Sequence, residues 1–124
     1  MAIELNHIII PSTDKKAGAA FLAEVLGLES PSTFGHFVTV QTANGVSLDY
    51  DDRDEVVSQH CAFTVDEAEF DEIFARVTAL GIRYFADPGH RSAGEINRRR
   101  GGRGFYFDDP DGHNMEVLTQ APTT

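Results

Sequence analysis

The stretch from Gly104 to Thr119 reads Gly-Phe-Tyr-Phe-Asp-Asp-Pro-Asp-Gly-His-Asn-Met-Glu-Val-Leu-Thr and joins a strong turn signal to two strand-like flanks. At its centre, Asp109-Pro110-Asp111-Gly112 is typical of a turn, because proline presets one backbone angle and glycine accepts a positive one. The aromatic and β-branched residues on either side predict a β-hairpin. Since side chains alternate along a strand, Glu116 should lie among apolar neighbours, where a carboxylate needs a positive partner.

Composition bounds the class of protein. With 124 residues and 41% hydrophobic content, the chain is long enough for one sizeable core. A formal net charge of −10 argues against nucleic-acid partners and anionic membranes, since phosphates would be repelled over most of the surface. The sequence has one cysteine, no apolar run near membrane-spanning length and no basic segment followed by an apolar one at its start. We therefore expect a cytoplasmic protein with a small-molecule substrate.

The chain reads as two similar halves, each predicted as a strand, a helix and then three strands. In the first half, the apolar run from Ile3 to Ile10 predicts a strand with His7 near its middle. A helix ending at Gly27 should follow, and then strands over 36–42 and 46–50, separated by an Asn-Gly turn.

The second half repeats this order from residue 59. A strand over 59–65 carries His60, and Asp66 with Glu69 resembles a capping box at the start of an amphipathic helix that ends at Gly81. Residues 82–86 are predicted as a strand before the terminal hairpin. The repeat has a structural consequence: each half alone would leave one face of its sheet uncovered, and two halves can cover each other.

The repeat places chemically similar residues at matching positions. His7 and His60 lie on the first strand of each half. Asp49 follows Gly45 by four residues on the last strand of the first half, as Glu116 follows Gly112 in the second. Two imidazoles with one or two carboxylates form a mixed nitrogen and oxygen ligand set, which suits divalent iron, zinc, nickel, manganese or cobalt.

These residues resemble the vicinal oxygen chelate superfamily, which includes glyoxalase I, extradiol dioxygenases, methylmalonyl-CoA epimerase, fosfomycin-resistance enzymes and metal-free bleomycin-resistance proteins. The resemblance runs from Leu5-Asn6-His7 through Gln59-His60-Cys61-Ala62-Phe63 to Phe105-Tyr106-Phe107-Asp108-Asp109-Pro110-Asp111-Gly112-His113-Asn114-Met115-Glu116. It implies an α+β fold of two paired βαβββ modules, whose sheets form a curled mixed sheet around a metal or ligand cavity. One domain over 1–124 would contain a first module of about 1–55 and a second of about 56–124.

The resemblance also implies roles for individual residues. His7, His60 and Glu116 would be the three common metal ligands, and Asp49 occupies the place of a fourth ligand that is usually Glu or Gln. Tyr106 would face the cavity and donate to a bound oxygen. A homodimer is implied as well, with the modules meeting either within one chain or across two.

Other polar residues allow structural or functional interpretations. The run from Arg98 to Arg103 is either a solvated loop or a clamp for an anionic group, and Arg103 is the predicted substrate-binding member. His113 is interpreted as part of the turn, and His36 and His90 as surface or pocket-rim residues. Cys61 should face away from His60 and act as a small apolar side chain.

The leading hypothesis is a metal-dependent lyase or isomerase of the glyoxalase type, binding a small molecule through adjacent oxygens. Glu116 and Tyr106 would be its catalytic residues, with Glu116 or Asp49 as the proton-transfer base. An extradiol ring-cleaving dioxygenase with Fe(II) is one alternative. A fosfomycin-type thiol transferase and a non-catalytic ligand-binding protein of the bleomycin-resistance type are the others.

Overall fold

The computed structural model describes residues 2–122 and divides into two compact units. The first unit ends at Val57 and the second begins at Ser58. Each unit combines one helix with one mixed sheet, so the predicted α+β class is confirmed. Among the described residues, no helix is long and apolar enough to cross a membrane.

The first unit is a four-stranded sheet with one helix. Its strands lie in the order β1-β4-β3-β2, with β1 parallel to β4 and the other pairs antiparallel. Its elements in chain order are β1 (His7–Ser12), α1 (Lys15–Leu26), β2 (Ser32–Phe34), β3 (Phe37–Gln41) and β4 (Ser47–Asp52).

Local sequence signals explain both ends of α1. The Asp14 side chain accepts a hydrogen bond from the backbone N–H of Ala17 at 3.1 Å, and Gly27 ends the helix in the left-handed region at φ 69°. The strand β1 differs from the prediction, because it begins at His7 and continues through Pro11. Proline is tolerated there since β1 lies at the edge of its sheet.

The sheet of the first unit has an apolar face and a polar face. The apolar face carries buried Ile10, Val40 and Tyr50, and α1 contributes buried residues that include Leu22 and Val25. Residues one position away along each strand project from the opposite face. That face carries His7 on β1 and Asp49 on β4.

The second unit has a three-stranded sheet in the order β5-β7-β6. Its β5 and β7 strands are parallel, whereas β6 and β7 form the predicted hairpin. The elements are β5 (His60–Thr64), α2 (Glu67–Ala79), a 3-10 turn (Arg99–Gly101), β6 (Gly104–Asp108) and β7 (Asn114–Leu118).

The start of α2 follows the sequence signal. Asp66 accepts from the backbone N–H of Glu69 at 2.7 Å, and the Glu69 carboxylate accepts from the N–H of Asp66 at 3.0 Å, which confirms the capping box. The helix packs Phe70 and Phe74 against Phe105 of β6, with ring centroids 5.4 and 5.6 Å apart. This aromatic cluster anchors α2 to one face of the sheet, so the opposite face is available for polar groups.

The strand predicted over residues 82–86 is reduced to an isolated pairing. Within residues 82–86, only Phe85 pairs with β6, exchanging backbone hydrogen bonds with Tyr106 at 2.9 and 2.8 Å. The chain then turns sharply, because the Asp87 carboxylate accepts from the backbone N–H groups of Arg91 and Ser92. A turn so soon after Phe85 leaves no length for a regular strand.

Candidate functional site

His60 and Glu116 meet on the polar face of the second sheet. The register pairs His60 with Asn114 and Ala62 with Glu116, so the two side chains project from neighbouring strands on the same side. His60 Nε2 lies 3.0 Å from Glu116 Oε1. Glu116 is nearly buried, at 9% exposure, and its carboxylate contacts the His60 ring.

The orientation of the His60 ring fits a metal ligand. Its Nδ1 lies 3.0 Å from the carbonyl oxygen of Asn114, which only accepts hydrogen bonds, so Nδ1 carries the hydrogen. A neutral ring then presents a lone pair at Nε2, beside an oxygen of Glu116. Metal-binding histidines characteristically donate their other ring nitrogen to a carbonyl or carboxylate in this way. The donor set of this pair therefore suits a divalent cation.

Tyr106 lies on the same face of the second sheet as His60 and Glu116, which is consistent with its alternation with Phe105 and Phe107 along β6. It pairs with Glu116 in the β6–β7 register, and its ring stacks on His60 with centroids 5.9 Å apart. Arg99 Nη1 donates to the Tyr106 hydroxyl at 2.9 Å. Burial and the charge of Glu116 raise the pKa of Tyr106, and the Arg99 hydrogen bond opposes that shift. The phenol therefore keeps its own hydrogen to donate.

His7 and Asp49 lie together on the polar face of the first sheet. His7 pairs with Ser47 in the β1–β4 register, and Asp49 is two residues further along β4. His7 Nδ1 lies 2.7 Å from Oδ1 of Asn6, which leaves Nε2 with a lone pair, as in His60. Asp49 is 7% exposed and accepts from the Ser47 hydroxyl at 2.6 Å. Both residues line a cleft of about 830 Å³.

The predicted ligands thus form two pairs, one in each unit. Among residues 2–122, no group of three or more His, Cys, Asp or Glu side chains is placed to hold a metal ion. The roles of His7, His60, Glu116 and Asp49 as metal ligands therefore stay predictions.

Arg103 lies away from the Tyr106–Glu116 face. It precedes β6 and shares the side of Phe105, so its guanidinium packs 4.3 Å above the Phe70 ring. The guanidinium also contacts Glu67 at 2.8 Å and Asp71 at 2.9 Å on α2. The alternation that directs Tyr106 to the polar face directs Arg103 to the helix, and the structure brings Arg99 to the tyrosine instead.

The remaining histidines separate by their surroundings. His113 is fully buried, and its Nδ1 accepts from the backbone N–H of Gln59 at 2.9 Å, which fits the structural interpretation. His36 is largely exposed, 3.6 Å from Asp51. His90 stacks on Phe85 at 4.2 Å between centroids, and its Nε2 lies 3.0 Å from Oδ1 of Asn114.

Sequence reasoning missed three residues that orient the two candidate ligand pairs. Asn6 and Asn114 hold His7 and His60 by their ring nitrogens, and His90 contacts the side chain of Asn114. A signal existed only for the asparagines, because one immediately precedes His7 and the other is two residues before Glu116.

Comparison with known proteins agrees with this architecture. Residues 4–117 match the profile described as the Glyoxalase/Bleomycin resistance protein/Dioxygenase superfamily. The chain belongs to this superfamily. The family resemblance that was noted in the β6–β7 hairpin and in the two strands that carry His7 and His60 is thereby confirmed at the level of the superfamily.

Two solved members of the superfamily are similar over nearly their whole length. The chain is 53% identical to oxidase ChaP-H1, with a TM-score of 0.95 and coverage of 97% of this chain and 98% of that one. It is 52% identical to oxidase ChaP-H2, with a TM-score of 0.96 and coverage of 100% and 98%. Among curated relatives, the glutathione transferase FosA of Serratia marcescens is 29% identical over 94% of this chain and 81% of its own length.

Proposed function

We propose that this member of the superfamily is a metal-dependent oxidase that uses dioxygen and acts on a small molecule with two adjacent oxygen atoms. The observation that carries the metal assignment is the His60 ring, whose Nδ1 is held by a carbonyl while Nε2 lies beside Glu116. High identity to two proteins named oxidases supports oxidation over the lyase or isomerase reaction that the sequence favoured.

The side chains around the pair have distinct tasks in this proposal. A divalent ion supplies Lewis-acid chemistry, stabilising negative charge that develops on the substrate's oxygens. Tyr106 accepts from Arg99 and donates its own hydrogen to Glu116, and a bound substrate oxygen would take the place of the carboxylate as acceptor. The Arg99 charge favours the developing anion, and the aromatic contact between Tyr106 and His60 keeps both side chains in place.

We further propose that the third ligand, His7, is supplied across a homodimer. The strands β1 and β5, which carry the two histidines, lie at the edges of their sheets. An edge strand with exposed apolar side chains is typical of a surface that pairs with another chain. On β1, Ile8 and Ile9 are 39% and 40% exposed.

Metal analysis of untagged protein tests the enzyme class. We expect about one metal ion per chain in the wild type, lost in Glu116→Gln and retained in the matched control Glu72→Gln on α2. Iron together with oxygen uptake on addition of a catechol-type substrate supports the oxidase. Absence of tight metal in the wild type would overturn the proposal and favour a ligand-binding protein.

Mixing two inactive variants tests the shared site. His7→Ala and Glu116→Gln homodimers should each lack activity. If His7 of one copy joins His60 and Glu116 of the other, each mixed dimer regains one intact site, and random exchange restores about one quarter of wild-type activity. If all three ligands came from one chain, every site in the mixture would stay defective.

A glyoxalase-type lyase or isomerase is the second candidate, and Asp49 is the observation that favours it. This buried carboxylate shares a face with His7, and the hydrogen bond from Ser47 engages only one of its oxygens. Nickel, zinc or manganese without oxygen uptake, together with loss of metal in Asp49→Asn, would select this reaction instead.

A further inference from the structure

The loop that precedes β6 contains three consecutive arginines, Arg98 to Arg100, and all three are exposed. Arg99 is the one that contacts the candidate site. Its Nη1 donates to the Tyr106 hydroxyl at 2.9 Å, and its Cζ lies 5.8 Å from the centroid of the Tyr106 ring. The three side chains have the same chemistry and the same reach, so the guanidinium groups themselves do not determine which of them meets Tyr106. The path of the loop backbone must decide it.

Asn97 closes this loop at its base. Its backbone N–H donates to the carbonyl of Gly104 at 2.8 Å, and its own carbonyl accepts from the N–H of Gly104 at 3.0 Å. The segment from Asn97 to Gly104 is therefore a closed loop that ends at the first residue of β6. Because Tyr106 lies two residues further along the same strand, the base of the loop and the phenol have a common support.

The side chain of Asn97 makes a second set of contacts. Its Oδ1 accepts from the backbone N–H of Arg99 at 3.3 Å, and its Nδ2 donates to the carbonyl of Ala86 at 2.9 Å. An N–H group only donates and a carbonyl only accepts, so these partners fix the orientation of the amide. Ala86 follows Phe85, whose backbone pairs with Tyr106. One side chain thus ties the backbone of Arg99 to the segment beside Tyr106.

Two further features fit a loop whose path is held by this amide. The amide lies against Gly104, where a Cβ atom would be 3.1 Å from Asn97 Oδ1 and 3.3 Å from Nδ2. Arg100 has a positive φ of 56°, which is unfavourable for a residue with a Cβ and persists only where surrounding contacts hold it. The chain therefore adopts a costly conformation directly after the arginine that contacts Tyr106.

We propose that Asn97 is a positioning residue of the candidate site, which selects Arg99 from the three arginines and acts on the Tyr106 phenol through it. The use of this placement in the reaction rests on the proposed function, in which the Arg99 charge stabilises negative charge on the substrate. Without the amide, the Arg99 N–H loses its acceptor and the loop loses its bond to Ala86. The phenol then no longer has a fixed cationic donor.

Nuclear magnetic resonance of the metal-free, full-length protein, isotope-labelled at the tyrosine Cζ, measures this placement directly. The chain has three tyrosines, and Tyr106→Phe identifies the resonance of interest. Because Cζ bears the phenol oxygen, its chemical shift responds to the hydrogen bond from Arg99. We expect Asn97→Ala and Arg99→Leu to move the Tyr106 resonance in the same direction. The controls Arg98→Leu and Asn44→Ala, both at exposed residues, should leave it in place.

The double variant distinguishes positioning from a general disturbance of β6. If Asn97 acts through Arg99, Asn97→Ala should cause no further shift in an Arg99→Leu background. A further shift there, or an unmoved resonance in either single variant, would overturn the assignment. Asn97→Asp keeps the size of the side chain and removes only the donor to Ala86, so the same cycle applies to it if Asn97→Ala fails to fold.

The outcome is separate from that of the proposed reaction. The resonance is measured without metal, so a protein that binds no metal and consumes no oxygen would still show the effect of Asn97. If oxidase activity is observed, Asn97→Ala and Arg99→Leu should lower kcat/KM by similar factors, and the double variant should lower it no further. Oxidase activity with additive losses would retain the proposed function and contradict the positioning role.

Discussion

His90 Nε2 lies 3.0 Å from Oδ1 of Asn114, the residue whose backbone oxygen is 3.0 Å from His60 Nδ1. Asn114 Nδ2 also donates to the carbonyl of Pro88, so the asparagine is held from two directions. The orientation of His60 depends on the position of the Asn114 carbonyl. His90 can therefore influence the candidate metal ligand His60 indirectly, by holding Asn114 in place.

We therefore predict that His90→Leu lowers metal affinity by about tenfold, the lower end of the effects seen when outer hydrogen bonds to ligands are removed. His90→Gln should recover most of the affinity, because its amide can donate to Asn114 from a similar position. His36→Leu, on an exposed histidine, serves as the control. Chelator competition measures the affinity, and equal values for His90→Leu and wild type would contradict the proposed route.

A second prediction concerns Arg103. Its guanidinium packs on Phe70 and pairs with two largely exposed carboxylates of α2, for which solvent screening limits the contribution. Arg103→Ala should lower the free energy of unfolding by about 1 kcal/mol, mostly through the lost ring contact. Urea denaturation measures this, with Arg98→Ala as the control. If the variant instead raised KM without altering stability, Arg103 would be the substrate-binding residue that the sequence predicted.

The pH dependence of stability should reveal Asp109. Burial raises the pKa of this carboxyl above its ordinary value of 3.8, and Oδ2 has no hydrogen-bond partner within the described part of the chain. The folded protein therefore retains the proton to higher pH than the unfolded chain does. Stability from this group is present below pH 3.8 and is lost as the pH rises through the higher folded pKa.

Asp109→Asn removes this titration while preserving an acceptor for the backbone N–H groups of Asp111 and His113. Relative to this variant, the wild type should lose unfolding free energy between about pH 4 and pH 7. Urea titrations at both pH values measure the difference. A constant difference between the two proteins would mean that Asp109 titrates alike in the folded and unfolded states.

Gly18 in α1 should tolerate no side chain. A Cβ atom there would lie 2.9 Å from Ser12 Oγ and 3.0 Å from Tyr50 Cδ2. We expect Gly18→Ala to destabilise the fold by about 1–3 kcal/mol, although alanine is the better helix former by about 1 kcal/mol. Gly89→Ala is the comparison, since its nearest neighbour would be 3.4 Å away. Thermal unfolding of both variants distinguishes crowding from a general effect of replacing glycine.

Features that depend on neighbouring residues were accessible from the sequence. The turn at residues 109–112, the capping box at Asp66 and the end of α1 at Gly27 each arise from backbone angles and hydrogen bonds within a few positions. Strand alternation likewise predicted the face of the sheet on which Glu116 lies, and it was compatible with Tyr106 on the same face. The internal repeat then indicated that His60 and Glu116 belong together, and their atoms lie 3.0 Å apart.

Features that depend on distant contacts required the tertiary structure. Phe85 forms only a bridge because the Asp87 carboxylate turns the chain at once. Arg103, immediately before β6, lies on the side of Phe105 and therefore faces α2. The choice of Arg99 as the partner of Tyr106 depends on how residues 97–103 fold back onto β6. The sequence alone determines local features such as turns and helix caps, because they depend on short-range sterics and hydrogen bonds. Contacts between residues far apart in the sequence are decided by tertiary packing, and the sequence does not show which of several similar arginines will contact Tyr106.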